Sequence, residues 1–239
     1  MAHPRSTRAL SLLAFALVTP ALVAGCGGAG DAKKPAAKSP TQVMQTAKKH
    51  FDDASSVHIA LSTDSTPSSG NGVLGATGDV THDPAFKGDV KVVLSGLTAT
   101  VPITSTGGKV YAKLPLQTKY SVIKPSEYGA PDPADFVDPD NGLSALLTKL
   151  EGLKKEGQTR SGGTILTNYS GTLPGAAVKE IIPSAVAKES YATRVGIDES
   201  GNATTVKITG PFFSGSDDVT YDVKFTQYGA GVKITTPES

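Results

Sequence analysis

Along most of the chain apolar and polar side chains alternate, and the departures from that rhythm mark helices and turns. The first departure lies near Thr41, where Val43, Ala47 and Phe51, with Met44 beside them, recur at i, i+4 and i+8. That spacing predicts a helix, ended by Asp52-Asp53 and Ser55-Ser56. From Val57 the period drops to 2, which predicts strands. Val57, Ile59 and Leu61 alternate with His58, Ala60 and Ser62; Leu74, Ala76, Gly78 and Val80 alternate with Thr77, Asp79 and Thr81. Val90, Val92 and Leu94 share a parity opposite Asp89, Lys91 and Ser95. Leu97, Ala99, Val101 and Ile103 follow, then Val110, Ala112 and Leu114 against Lys109, Tyr111 and Lys113. Turn signals at Asp83-Pro84, Ser95-Gly96 and Gly107-Gly108 bound the runs. Closely spaced alternating strands joined by short turns predict an antiparallel meander with one wet face.

Residues 115–140, rich in Pro, Asp and Tyr, read as a long excursion. Asp140-Asn141 then offers an N-cap to a helix with a stripe of Leu143, Leu146, Leu147 and Leu150, stopped by Gly152 or Gly157. A strand is expected around 163–172 and a short helix over 176–182, ended by Pro183. Three alternating runs close the chain, carrying Tyr191, Thr193, Val195 and Ile197; Val206 and Ile208; and Val219, Tyr221, Val223 and Phe225. The fold class these elements predict is α+β: one large curved antiparallel sheet with a few helices laid against one face.

The start of the chain reads as an address. Arg5 and Arg8 precede the apolar run Ala9 to Val18; Pro20 interrupts it, and Val23-Ala24-Gly25-Cys26 follows. A basic start, a short apolar stretch and small residues before a cut describe a signal peptide, too short for a transmembrane span. Val23-Ala24-Gly25-Cys26 resembles a bacterial lipobox, so Cys26 is the expected lipidation site. The expected organisation is a signal peptide over 1–25, a flexible tether over 26–40, and a single domain over 41–239. The tether reading rests on Gly27 to Pro40, which lacks any large apolar side chain. The expected location is the outer face of the cell membrane through the lipid anchor, with partial release to the cell wall.

Composition removes several function classes. The 239 residues carry 23 Lys+Arg against 22 Asp+Glu, and no basic stripe stands out, so no nucleic-acid partner is expected. A single cysteine, assigned to lipid, leaves no disulfide framework, thiolate zinc site or cysteine nucleophile. His50, His58 and His82 lie in no metal-binding spacing, and no Ser elbow, Walker loop or dinucleotide fingerprint occurs. Asp132, Asp135, Asp138 and Asp140 are read as turn and capping residues rather than a calcium loop. The expectation is therefore no enzyme, no metal and no cofactor. The inward positions are mostly small (Ala76, Gly78, Val80, Val90, Val92, Val101, Ala112), and Trp is absent. A broad sheet so lined leaves volume that few bulky side chains can fill, and unfilled volume costs contacts unless a ligand occupies it.

Several stretches resemble one family in order and spacing. They are Val23-Ala24-Gly25-Cys26; Gly78-Asp79-Val80-Thr81 with Pro84 and Gly88-Asp89-Val90-Lys91; Asp138-Pro139-Asp140-Asn141-Gly142-Leu143 running to Lys155-Glu156-Gly157; and Gln227-Tyr228-Gly229 with Val232-Lys233-Ile234-Thr235. Together they resemble the mycobacterial LppX/LprA/LprF/LprG lipoprotein family over nearly the whole chain. The resemblance implies a half-barrel sheet whose concave face, covered by helices, encloses a hydrophobic cavity. It implies acylated lipid or glycolipid ligands, of triacylglycerol or phosphatidylinositol mannoside type, and work beside a major-facilitator transporter in an actinobacterial envelope. The candidate cavity residues are Leu74, Val80, Val90, Val92, Leu94, Val101, Ile103, Val110, Ala112 and Leu114. The alternative from another class is a structural or interaction lipoprotein of an envelope complex with a filled core and no ligand.

Overall fold

The computed structural model describes residues 37–65, 72–94, 96–213 and 217–238, with the backbone alone at Leu94. The expected signal peptide, Cys26 and most of the tether lie outside the described residues. The first element is α1 (Pro40–Asp53). Ser39 and Gln42 close a reciprocal capping box: the Gln42 N–H donates to Ser39 Oγ at 3.3 Å, and the Ser39 N–H donates to Gln42 Oε1 at 2.9 Å. Pro40 takes the first helical position, where a missing N–H costs nothing, so the helix begins one residue ahead of Thr41. Met44, Ala47 and Phe51 are buried, whereas Val43 is half-buried at the edge of the stripe.

Among the described residues the strands are β1 (Ser56–Thr63), β2 (Gly72–Thr81), β3 (Ala85–Leu94), β4 (Leu97–Thr106), β5 (Lys109–Ala112), β6 (Ser121–Ile123), β7 (Glu151–Ser161), β8 (Thr164–Pro174), β9 (Ser190–Ile197), β10 (Ala203–Gly210) and β11 (Val219–Thr226). They form one open antiparallel sheet in the order β6-β5-β4-β3-β2-β1-β11-β10-β9-β8-β7. The helices are few: α1, the single turn α2 (Ala145–Thr148), α3 (Gly175–Ile181), and 3-10 turns at Pro125–Tyr128 and Pro133–Val137. The expected α+β class is thus a mostly β molecule. The first and last strands meet in the middle of the sheet, and β6 and β7 are its two edges. The connection between them, which holds both 3-10 turns and α2, therefore travels from one edge to the other. Its second 3-10 turn packs on β2, β3 and β4, and α2 packs on α1.

Register aligns one apolar row across eight strands. Tyr169 pairs with Val195, Val195 with Val206, Val206 with Val223, and Val223 with Leu61; the row continues through Ala76, Val90 and Val101. Because strand side chains alternate between faces, this row and its neighbours two residues away define a single apolar face. In the next row Gly78 and Gly88 face each other between Ile59 and Ile103. A Cβ on Gly88 would lie 2.1 Å from the Thr77 carbonyl oxygen and 2.6 Å from Gly78 Cα, so the two backbones approach too closely for any side chain.

The mid-chain helix is shorter than the leucine stripe predicts. Leu143, Leu146, Leu147 and Leu150 are all buried, but only one turn forms. The Lys149 N–H bonds to the carbonyls of Ala145 and Leu146, and β7 takes the chain from Glu151. The expected cap is displaced too. Asp138 Oδ1 accepts from the N–H groups of Asp140 and Asn141 at 2.8 Å each, forming a turn ahead of the helix. The strand β7 has no counterpart in the alternation pattern, because nearly all of it is exposed and polar. Two register shifts and its charged side chains keep this edge from pairing with another chain. The described residues pack as one compact unit.

Candidate functional site

On the apolar face, the strands β1 to β4 and the β6–β7 connection enclose a cavity of about 120 Å³. The sheet supplies Leu61, Gly72, Val73, Ala76, Val90, Val92, Ala99, Val101 and Ile103. The loop after β5 adds Leu114 and Pro115, and β6 adds Ile123. The opposite wall is Pro125, Tyr128, Ala130, Pro131, Pro133 and Phe136 of the connection, with Ile181 and Ile182 at the end of α3. None of these residues is charged, and the Tyr128 hydroxyl is the sole side-chain polar group among them. The three prolines of that wall suit irregular backbone, since proline leaves no N–H to satisfy against an apolar space.

The register explains which candidate residues come together. Val90, Val92, Val101, Ile103 and Leu114 line the cavity. Val80, Val110 and Ala112 lie on the same face by pairing, but are buried beyond the cavity. Leu74 is buried and does not line it: the register shifts between Val73 and Gly75, and Val73 takes the lining position. The Leu94 side chain lies outside the described residues. The tyrosine Tyr221 completes this corner. Its hydroxyl donates to the Val73 carbonyl, a group at the same register shift, and burial pushes its pKa well above the usual tyrosine value.

A much smaller apolar void, about 20 Å³, lies further along the face among Leu143, Leu146, Val178, Val206, Val223 and Phe225. It shares Leu61, Ile181 and Ile182 with the main cavity, so these three side chains form a partition. On the other side of Pro131, Phe136 and Ile181 is a polar recess of about 330 Å³ bearing Asp135, Asp138, Asn141 and Glu180. Burial, then the neighbouring Asp132 and Asp138 charges, hold the Asp135 carboxyl above its usual pKa. The N–H groups of Asn141 and Asp140 hold Asp138 below it. Asp132 accepts from Ser105 Oγ at 2.6 Å and from the Ala134 N–H at 2.9 Å, capping the second 3-10 turn. The histidines are dispersed: His50 meets Asn202 at 3.1 Å, His58 meets Asp79 at 2.8 Å, and His82 lies edge-on to Phe51.

Strand alternation marks the floor of this cavity and carries no mark of its roof. Tyr128, Phe136, Ile181 and Ile182 sit in segments without strand periodicity, and their shared destination is set by a connection crossing the sheet. The Pro-rich composition of 115–140 is the available signal, since a run of prolines near Tyr and Phe fits an apolar wall better than a solvated loop.

Residues 39–236 match the profile described as LppX_LprAFG lipoprotein, which spans most of the chain. The chain belongs to the LppX_LprAFG lipoprotein family. The lipoarabinomannan carrier protein LprG of Mycobacterium leprae is 25% identical over 100% of this chain and 99% of its own. LprG of Mycobacterium tuberculosis H37Rv is 25% identical over 98% of this chain and 97% of its own. Among solved structures, LprF from Mycobacterium bovis superposes with a TM-score of 0.70 at 21% identity, covering 84% of this chain and 97% of that one. LppX from Mycobacterium tuberculosis gives 0.61 at 20% identity, covering 82% and 98%. These two share the fold. A lipoprotein family implies anchoring to the envelope through lipid. No helix among the described residues is long and apolar enough to cross a membrane.

Proposed function

We propose that this protein is a membrane-tethered carrier that takes the acyl chains of a lipid or glycolipid into the apolar cavity and moves the molecule across the cell envelope. The uncharged cavity between β1–β4 and the β6–β7 connection carries the reading. An apolar void forfeits packing contacts on every wall, and an acyl chain restores them without demanding a polar partner. The sheet acts as a half-barrel, with the helices against its concave face. The continuous row from Tyr169 to Val101 supports that geometry. The names of the LprG relatives, carriers of lipoarabinomannan, support a glycolipid cargo. The polar recess beside Phe136 and Ile181 supplies acceptors for a hydroxyl-rich headgroup. Cys26 is the anchor, the ligand is of triacylglycerol or phosphatidylinositol mannoside type with acyl chains that match the apolar lining, and a major-facilitator transporter is the partner in envelope transfer.

Loading requires movement. A cavity of about 120 Å³ is close to the ~150 Å³ apolar cavity that admits one benzene. An acyl chain needs more room, so the 3-10 turns and the end of α3 lift from the sheet, and displacement of Ile181 and Ile182 joins the two voids. Native mass spectrometry of delipidated protein incubated with membrane extract tests this. We expect added masses of acyl lipid on the wild type. In Val90→Trp, folding is retained and occupancy falls to a small fraction, because the indole fills the cavity. A wild type that stays free of lipid would overturn the reading. Val90→Trp losing about 1–3 kcal/mol to overpacking would then point to a filled core and an envelope-complex role.

A further inference from the structure

We propose that the sheet edge running from β3 to β6 is a bilayer-docking rim, with Leu97 and Leu116 inserting among the acyl chains of a membrane bearing anionic phospholipid. The proposal rests on the carrier reading above and adds the surface through which cargo passes. Among the described residues, the exposed large apolar side chains are Leu97, Leu116, Val122 and Tyr128, all within 97–128. Leu97 is 76% exposed and Leu116 105%. The same stretch provides Ala99, Val101, Leu114, Pro115 and Ile123 to the cavity, so the exposed apolar surface is continuous in sequence with the apolar interior.

The backbone brings the two leucines towards one end of the sheet. Pairing of β4 with β5 ends at Ile103 and Ala112, after which the Lys113 N–H bonds to the Pro102 carbonyl. Leu114 and Pro115 then line the cavity together with Ala99 and Val101, following β4 back towards Leu97. Leu116 sits there at φ 68°, in the left-handed region that a leucine avoids. Backbone strain used to hold a fully exposed apolar side chain points to something outside the protein that receives it.

Charge selects the occupant. Between Asp89 and Glu127 the chain holds Lys91, Lys109, Lys113, Lys119 and Lys124 and no Asp or Glu, although the whole protein is only +1. Lys91, which pairs with Thr100, and Lys119, three residues past Leu116, are exposed on the leucine side, whereas Lys109 and Lys124 lie at the far end of the β4–β5–β6 hairpins, where Lys124 meets Glu127 at 3.9 Å. A surface combining lysines with protruding leucines matches a bilayer, whose anionic headgroups attract the cations while its acyl layer accepts the leucines. A second copy of this rim would bring like charges together.

The test is co-sedimentation of the chain from residue 26 onwards, carrying Cys26→Ser so that no acyl anchor contributes, with vesicles of phosphatidylcholine alone or with about 30 mol% phosphatidylglycerol. We expect binding to the mixed vesicles, weaker binding to phosphatidylcholine, and loss of that difference near 1 M salt, where the Debye length is about 3 Å. Leu97→Ser with Leu116→Ser should lower binding at least about tenfold. Leu116→Gly serves as the second variant: glycine relieves the positive φ, so its Tm should stay level or rise while vesicle binding still falls. Both variants should still take up a detergent-dispersed acyl lipid, read by native mass spectrometry; a wild type that takes up none fails the carrier reading separately. Unchanged vesicle binding in both leucine variants, no binding by the wild type, or a wild-type dimer that the variants dissolve would overturn the proposal.

Discussion

Tyr221 shows how much a single polar atom organises here. Its ring is buried between β11 and the cavity corner, stacked edge-on against Phe212 at 4.6 Å, and its hydroxyl reaches the Val73 carbonyl at the register shift of β2. That donor satisfies a carbonyl beside an apolar cavity. Tyr221→Phe should therefore cost about 1–3 kcal/mol, the penalty for an unsatisfied buried acceptor. For a protein of this size that lowers Tm by several degrees in a thermal melt. Tyr228→Phe is the matched control. It removes the hydroxyl of a half-buried tyrosine, bonded to the Ala203 carbonyl at 2.6 Å, but lies away from the lining residues. Both variants should lose stability, and lipid uptake should fall in Tyr221→Phe alone.

At the level of elements, β2 and β3 set the shape of the floor. Gly78 and Gly88 leave a gap in a row otherwise filled by Ile59 and Ile103, and Phe86 Cζ comes within 2.9 Å of where a Gly88 Cβ would stand. Gly88→Ala must push apart backbone atoms rather than a flexible side chain, so we expect a loss of about 1–3 kcal/mol in denaturant unfolding. Gly157→Ala on the edge strand β7 meets nothing within 4 Å and should be close to neutral. Equal effects at the two positions would refute the close-approach argument. The strand β7 itself was hidden in the sequence, because an exposed edge carries no apolar alternation for periodicity to report. The leucine stripe overstates α2 for the opposite reason: its leucines are buried, but pairing of β7 with β8 claims the chain directly after Leu150.

For the whole molecule, the decisive feature is that β1 and β11 join in the centre of the sheet, leaving β6 and β7 as distant edges. The connection between those edges then has to cross the sheet, and in crossing it roofs the cavity. In the proposed function, Cys26 is what attaches the protein to the membrane. Each buried methylene contributes about 0.8 kcal/mol and stable anchoring takes more than one acyl chain, which leucine insertion at a rim does not equal. Cys26→Ala should accordingly move the protein from the membrane fraction to soluble and wall fractions on cell fractionation. Unchanged membrane attachment would show that Cys26 is not the anchor.

Much of the fold was legible in local pattern. Val57, Ile59 and Leu61, Val90 and Val101, and Val219 to Phe225 announced their strands and their inward face, since a period of two is a property of each strand alone. Met44, Ala47 and Phe51 announced α1 in the same way. The candidate site was half legible: Val90, Val92, Val101, Ile103 and Leu114 followed from parity, whereas Leu74 yielded to Val73 at a register shift. Tyr128, Phe136, Ile181 and Ile182 were decided only by the tertiary structure. Side-chain pattern says which way a residue points, but the backbone groups that choose strand partners are the same in every residue. The meeting of the terminal strands, and with it the roof, is therefore written in long-range pairing and packing rather than in any local stretch of sequence.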